Sequence, residues 1–274
     1  MTIDGSRDDP AAPSVPSQAW TRALLLSALA GLASGCGGSP APDAGLAGEP
    51  AQTPRSADGS DGGALTRLTP AEAAEGWRLL STSLEGWRGY MREDVPGGWT
   101  AENGVLTFSP GGEGGDLITR DQFESFELAL EWKIEPGGNS GIFYRVVEEG
   151  RYAYWTGPEM QILDNARHPD GRSPLTSAGA NYGLHAPPGD FTRPVGEWNE
   201  ARIVVRGSDV EHWLNGQRVV SYTLGSPEWE ALVAGSKFTE WPGYGQADRG
   251  HLGLQDHGDP VWFRNIRVRA LGGG

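Results

Sequence analysis

One cysteine, Cys36, is the entire thiol complement of the 274-residue chain, so no internal disulfide framework can staple the fold. Basic residues are scarce: 22 Lys and Arg stand against 36 Asp and Glu, for a formal net charge of −14. That balance offers no basic patch to neutralise phosphates and argues against a nucleic-acid partner. Several motif classes are missing too. There is no Gly-rich phosphate loop, no Gly-x-Ser-x-Gly elbow and no dinucleotide fingerprint. The histidines His168, His185, His212, His251 and His257 lack the paired spacing of metal ligands, which argues against zinc. No cofactor is evident. Oxygen-rich loops leave room for a divalent cation such as calcium, without a ligand spacing to support one.

What the chain has in quantity is glycine (42), proline (20) and tryptophan (11). Gly/Pro turns between short aromatic and β-branched runs favour an all-β sandwich or barrel. Acidity with many tryptophans suits a neutral ligand such as a sugar, although acidity alone speaks mainly to solubility. At the N-terminus, RALLLSALAGLASGC (22–36) sets an arginine before an apolar run too short to span a bilayer comfortably. It resembles a bacterial lipoprotein signal, with cleavage before Cys36 and lipidation of that cysteine; Ala33 stands where such signals usually carry Leu. The acidic stretch before Arg22 is unusually long, and Val15 is a candidate alternative start. Residues 1–36 therefore read as an export segment outside the fold. Residues 37–64 read as a disordered Gly/Pro/Ala/Ser linker, having almost no large apolar residue to offset ordering entropy. Residues 65–274 read as one domain. The expectation is an exported lipoprotein, in the periplasm or at the cell surface, whose only membrane contact is its lipid anchor.

Within the domain, Thr69-Pro70-Ala71-Glu72 marks a short helix, with Thr69 as N-cap and Glu72 closing a capping box. Strands are expected over Trp77–Leu80, in a hairpin about Asn103-Gly104, over Leu117–Arg120 and, most clearly, over Phe126–Ile134. Ile142–Val147 places Ile142, Tyr144 and Val146 on one face and Gly141, Phe143 and Arg145 on the other. Gly157–Asn165 turns Met160 and Ile162 inward and Glu159 and Gln161 outward. Ala166–Gly196 is too rich in Gly and Pro for a regular element, and a loop of that length is usually functional. Arg202–Arg206, Val210–Leu214 and Arg218–Leu224 follow as strands, the last two joined by Asn215-Gly216. A short helix then runs from Ser226 to about Ala234. The last strand pair is Gly250–Ala270, whose first strand points Gln255 and His257 away from Leu252 and Leu254. The fold class is all-β, a two-sheet antiparallel jelly-roll sandwich with one or two short helices.

Glu159 is the leading acid/base candidate, since a carboxyl between aromatic walls acquires a raised pKa. His257 shares a face with Gln255 and could shuttle a proton near neutral pH. Asp164 reads either as a second carboxylate or as a turn former with Asn165. Arg145, Lys237 and Arg264 are candidate oxyanion stabilisers. Arg264 also shares its alternation with the core-like Ile266 and Val268, so either a bulge separates them or Arg264 sits at a pocket edge.

The ordered set Gly138-Asn139-Ser140-Gly141-Ile142-Phe143, Glu159-Met160-Gln161-Ile162-Leu163-Asp164-Asn165, Gly196-Glu197-Trp198-Asn199, His212-Trp213-Leu214-Asn215-Gly216, Ser236-Lys237-Phe238 and GHLGLQDHGDPVWFRNIR (250–267) resembles the 3-keto-disaccharide hydrolase domain family over roughly Thr69 to Leu271. One departure is Leu80-Ser81-Thr82, where the family commonly has Phe-Asp-Gly. The resemblance implies a concanavalin A-like jelly roll and action on glycosides already oxidised at C3. It implies C2 deprotonation, elimination of the C1 substituent and hydration. Glu159 and His257 would form the acid/base pair, in an order left open. Arg145 or Lys237, or a bound metal ion, would support the enolate. Asn139, Gln161 and Gln255 would bind hydroxyls, and Trp241 or Tyr182 would stack on the sugar. The competing class is a non-catalytic lectin-like module on the same jelly roll.

Overall fold

A computed structural model of the chain describes residues 63–272. The export segment with Cys36, and the linker up to residue 62, lie outside the described residues. The expected capping box is present: Thr69 Oγ1 accepts from the Glu72 amide, the Glu72 carboxylate accepts from the Thr69 amide, and helix α1 runs Pro70–Ala74. Strands β1 (Arg78–Leu79) and β2 (Trp87–Gly89) follow. Then β3 (Trp99–Glu102) and β4 (Val105–Phe108) close about Asn103 and Gly104, both at positive φ as the tight hairpin requires. The remaining strands are β5 (Leu117–Phe123), β6 (Phe126–Ile134), β7 (Asn139–Val146), β8 (Glu159–Leu163), β9 (Asn199–Arg206), β10 (Asp209–Leu214), β11 (Gln217–Thr223), β12 (Gly250–Leu254) and β13 (Val261–Ala270), with helix α2 (Pro227–Ala234) before β12. Every pairing is antiparallel.

The strands form two sheets. The eight-stranded one is ordered β11-β10-β9-β6-β13-β4-β3, with β1 beside β13; the five-stranded one is ordered β2-β5-β12-β7-β8. Alternation along each strand decides what lies between them. Leu128, Leu130, Trp132, Ile203, Val205 and Phe263 of the larger sheet meet Leu117, Ile142, Met160, Ile162, Leu252 and Leu254 of the smaller in one core. A polar cluster is sealed within this core. The Tyr144 hydroxyl bonds His212 Nε2 at 2.9 Å and also the Tyr222 hydroxyl. Burial pushes the His212 imidazole down to about 3, so it sits neutral, with Nδ1 bonded to the Gly179 carbonyl.

The outer face of the larger sheet is an ionic ladder. Glu127, almost fully buried, is gripped by Arg202 at 2.5 Å and Arg269 at 2.7 Å. Glu131 bonds Arg264 at 2.7 Å, and the Arg264 guanidinium lies 4.3 Å over Trp198. The pairing of β13 with β6 shifts register between Arg264 and Arg267, with Asn265 at φ 55°. The bulge alternative for Arg264 is therefore the one observed, and it places Arg264 on this ladder rather than at a pocket edge.

Candidate active site

The outward face of the smaller sheet carries the site. Its floor comes from β5, β12 and β7, where Ile118, Phe143 and Val146 form a second apolar cluster joined by Ala153. Val146 faces this cluster and not the core, against the simple alternation expected for β7, because Arg145 adopts φ 54° and resets the pleat. Two glycines keep the floor flat. A Cβ on Gly253 would press on Phe143 and Ile118. A Cβ on Gly141 would fall 2.7 Å from Cδ and 2.9 Å from Cγ of Glu159. Glu159, opposite Phe143 at the start of β8, thus lays its side chain across Gly141 on the neighbouring strand.

Glu159 is 7% exposed, and its carboxyl oxygens have no hydrogen-bond partner among the described residues. Burial pushes its pKa up to about 8; Asp116 and Asp170 push the same way and Lys237 opposes them. Lys237 is an exposed residue whose ammonium lies 4.5 Å over the Tyr182 ring and 5.6 Å over Tyr154. Burial lowers the Lys237 pKa, against the pull of Glu159 and Asp170. Tyr182 donates its hydroxyl proton to Asp170 Oδ2 at 3.2 Å, and its amide bonds the Glu159 carbonyl. Burial and the Asp170 and Glu159 carboxylates raise the Tyr182 phenol well above the ordinary value, so it remains a hydrogen-bond donor. Around this group Tyr152 stacks on Tyr154 at 5.2 Å and Trp155 on Trp241 at 5.8 Å. Trp241 also meets Phe238 and Tyr154 edge-on, so one aromatic wall stands beside Glu159 and Lys237.

Of the residues singled out from sequence, Glu159, Lys237, Tyr182 and Trp241 come together. Gln255 and Asn139 join them on the same face: the Gln255 amide bonds the Gly141 carbonyl at 2.9 Å, and both side-chain oxygens are buried without a partner. Oxygen acceptors with no protein donor suit the hydroxyls of a bound ligand. Gln161 is placed differently. Its Nε2 reaches the Thr176 carbonyl and its Oε1 takes the Ile162 amide, under the loop that bonds back to it at Gly179 and Ala180. Asp164 is the turn former: its carboxylate accepts from the Gly137 and Ala166 amides, which stitches the start of β7 to the end of β8. Arg145 points away, its guanidinium bonded to the Glu124 and Gly207 carbonyls, and cannot support an enolate beside Glu159. His257 lies beyond the end of β12, which stops at Leu254, and packs edge-on against His168 at 6.0 Å. Its titratable neighbours are Asp259, His168, Asp170 and Asp256, and Asp170 also acts on Glu159.

Sequence reasoning missed Asp170, Asp116 and Tyr154. The first lay in a stretch read only as loop. Asp116 precedes β5 by one residue, and its alternation with Leu117 and Ile118 was the available signal. Among the described residues, no group of three or more His, Cys, Asp or Glu side chains is arranged to hold a metal ion.

The 3-keto-α-glucoside-1,2-lyase-like domain model matches residues 76–269, which is the fold from the end of α1 to the last strand. The chain belongs to this family. A 3-keto-disaccharide hydrolase from Bacteroides thetaiotaomicron is 40% identical over 219 residues, covering 69% of this chain and 76% of that one. A solved structure from Parabacteroides distasonis, provisionally assigned as a glycosyl hydrolase, superposes with a TM-score of 0.70 at 33% identity, covering 75% of this chain and 99% of that one. A second from the same organism, likewise assigned, gives a TM-score of 0.57 at 30% identity and covers 71% of this chain and 99% of that one. Family membership identifies the chain as a carbohydrate-cleaving enzyme of the hydrolase or lyase type.

Proposed function

We propose that this lyase-like enzyme cleaves 3-keto-glycosides, 3-keto-disaccharides among them, with Glu159 as the base that takes the C2 proton. The observation that carries this reading is a buried carboxyl, free of protein hydrogen bonds and laid over a glycine floor, facing one ammonium group. The C3 ketone acidifies the C2–H bond. Proton transfer to Glu159 leaves an enolate, to which the Lys237 ammonium brings positive charge. The enolate electrons then form the C1–C2 double bond as the C1–O bond breaks. Water adds across that double bond, its oxygen to C1 and a proton from Glu159 to C2, which restores the base. The route needs no oxocarbenium ion, unlike ordinary glycosidases. Trp241 and its neighbours supply a stacking wall.

The test is direct. Purified protein incubated with a 3-keto-disaccharide releases monosaccharide, and the unoxidised parent disaccharide yields none. Binding of both sugars with release from neither, including after divalent metal is added, would assign the fold to a lectin-like module instead.

Export forms part of the same proposal, with Cys36 carrying a lipid that tethers the domain outside the cytoplasm. Labelled palmitate should enter the wild-type protein in a bacterial host and be lost in Cys36→Ser; equal labelling of both proteins would remove the anchor.

A further inference from the structure

We infer that Asp116 is the proton donor to the departing C1 oxygen, so that two carboxyls, on β8 and at the head of β5, divide the elimination between them. This rests on the 3-keto-glycoside reading above. The placement follows from register. One row crosses the outer face of the smaller sheet: Tyr90, whose amide bonds the Asp116 carbonyl at 2.9 Å, then Asp116, Gln255, Gly141 and Gln161. Leu117, next to Asp116, faces the core, and Ile118 faces the outer cluster, so alternation turns Asp116 outward with Ile118.

The carboxyl of Asp116 is held at one end and open at the other. The Asp256 amide donates to its Oδ1 at 3.0 Å, and Oδ2 has no hydrogen-bond partner among the described residues. Asp256 is itself fixed, its carboxylate accepting from the Gly115 amide at 2.7 Å and the Gly258 amide at 2.9 Å. A residue anchored through one oxygen, beside a neighbour locked by two backbone bonds, is positioned to offer the other oxygen to a ligand. Glu159 reaches over Gly141 toward β12, and Asp116 leans toward β12 from the other side. Three strand spacings separate β8 from β5, roughly 14 Å, and the two carboxyls lean into that span from opposite sides over Gly141 and Gly253, near enough for Asp116 to push the Glu159 pKa up. Burial and the facing Asp256 carboxylate also favour the protonated form of Asp116, pushing its pKa up to about 7.

The balance of the step is complete. As the C1–O bond breaks, its electron pair goes to the leaving oxygen, which takes the proton from Asp116 Oδ2. In the hydration half, the Asp116 carboxylate takes a proton from the water that attacks C1. Both carboxyls return to their starting states, and no further reactant is needed.

A general acid matters in proportion to how poor the leaving group is. The experiment compares wild type and Asp116→Asn on a 3-keto-disaccharide, which loses an alkoxide, and on a 4-nitrophenyl 3-keto-glucoside, which loses a stable phenolate. The expected result is a loss of 100-fold or more in kcat on the disaccharide and of less than about 10-fold on the nitrophenyl glycoside, whose residual rate certifies a folded site. Asp116→Ala should show the same split, with imidazolium, a small acid still protonated near neutral pH, restoring part of the disaccharide rate. Equal losses on both substrates, or no loss on either, overturn the assignment of Asp116. If wild type turns over neither 3-keto substrate, the underlying reading fails instead.

Discussion

Glu159→Gln lowers kcat on a 3-keto-disaccharide by roughly 100- to 10,000-fold, the usual contribution of a positioned base, and leaves the fold intact. The substitution preserves shape and removes the titration. Two further readouts follow from the sign of its pKa shift. Burial holds the folded Glu159 protonated up to about 8, against an ordinary value of 4.5. Between those values the folded state binds the extra proton, so Glu159 costs stability progressively as pH rises through the window. The glutamine variant is exempt from this cost. Its stability relative to wild type therefore rises from pH 5 to pH 8, by at most roughly 4–5 kcal/mol, which a melting-temperature difference that widens over that range reads out. In catalysis the base form of Glu159 increases through about 8 while the acid form of Asp116 declines through about 7. The active fraction then peaks between the two and falls on either side; the carboxyls titrate as a coupled pair. Lys237→Met removes the charge that favours ionised Glu159 and moves the upper of the two pKa values in the rate profile upward. Wild-type rates in Glu159→Gln, or an unmoved profile in Lys237→Met, would refute this assignment of roles.

Gly141→Ala is expected to reduce kcat by about 100-fold while altering KM less, because the change displaces the base rather than the sugar's binding groups. The new methyl would occupy space now held by Cγ and Cδ of Glu159, at 2.9 and 2.7 Å. The crowded atoms are the far end of the Glu159 side chain, so Glu159 leaves its rotamer while the backbone stays in place. The control is Gly253→Ala, where the nearest atoms belong to Phe143 and Ile118 at 3.2 to 3.5 Å; it crowds the floor without touching the carboxyl and should cost less activity. If Gly141→Ala turns over at the wild-type rate, Glu159 does not lie across Gly141 during catalysis.

The two halves of the site differ in how far they were legible. The strand over Phe126–Ile134 and the hairpin at Asn215-Gly216 were plain from alternation and turn chemistry, and both stand as expected. So does the outward direction of Glu159, because one residue of alternation beside Met160 and Ile162 suffices to set it. Arg145 went astray for a local reason: a single positive φ resets the pleat, and nothing in a residue's identity announces a bulge at a non-glycine. Arg264 went astray for a long-range one, since its partner Glu131 lies on β6 and is reached only through sheet order.

Composition, period-two patterning and turn residues were therefore enough to establish a two-sheet β sandwich and a carboxyl on its outer face, for these are properties of a strand and its immediate neighbours. Which charges surround that carboxyl was a tertiary matter. Lys237, Asp170 and Asp116 come from a late loop, an early loop and a strand start, and they meet Glu159 only because β5, β12, β7 and β8 lie side by side. Strand order is set by the packing of whole sheets against a common core, and no window of the chain contains it.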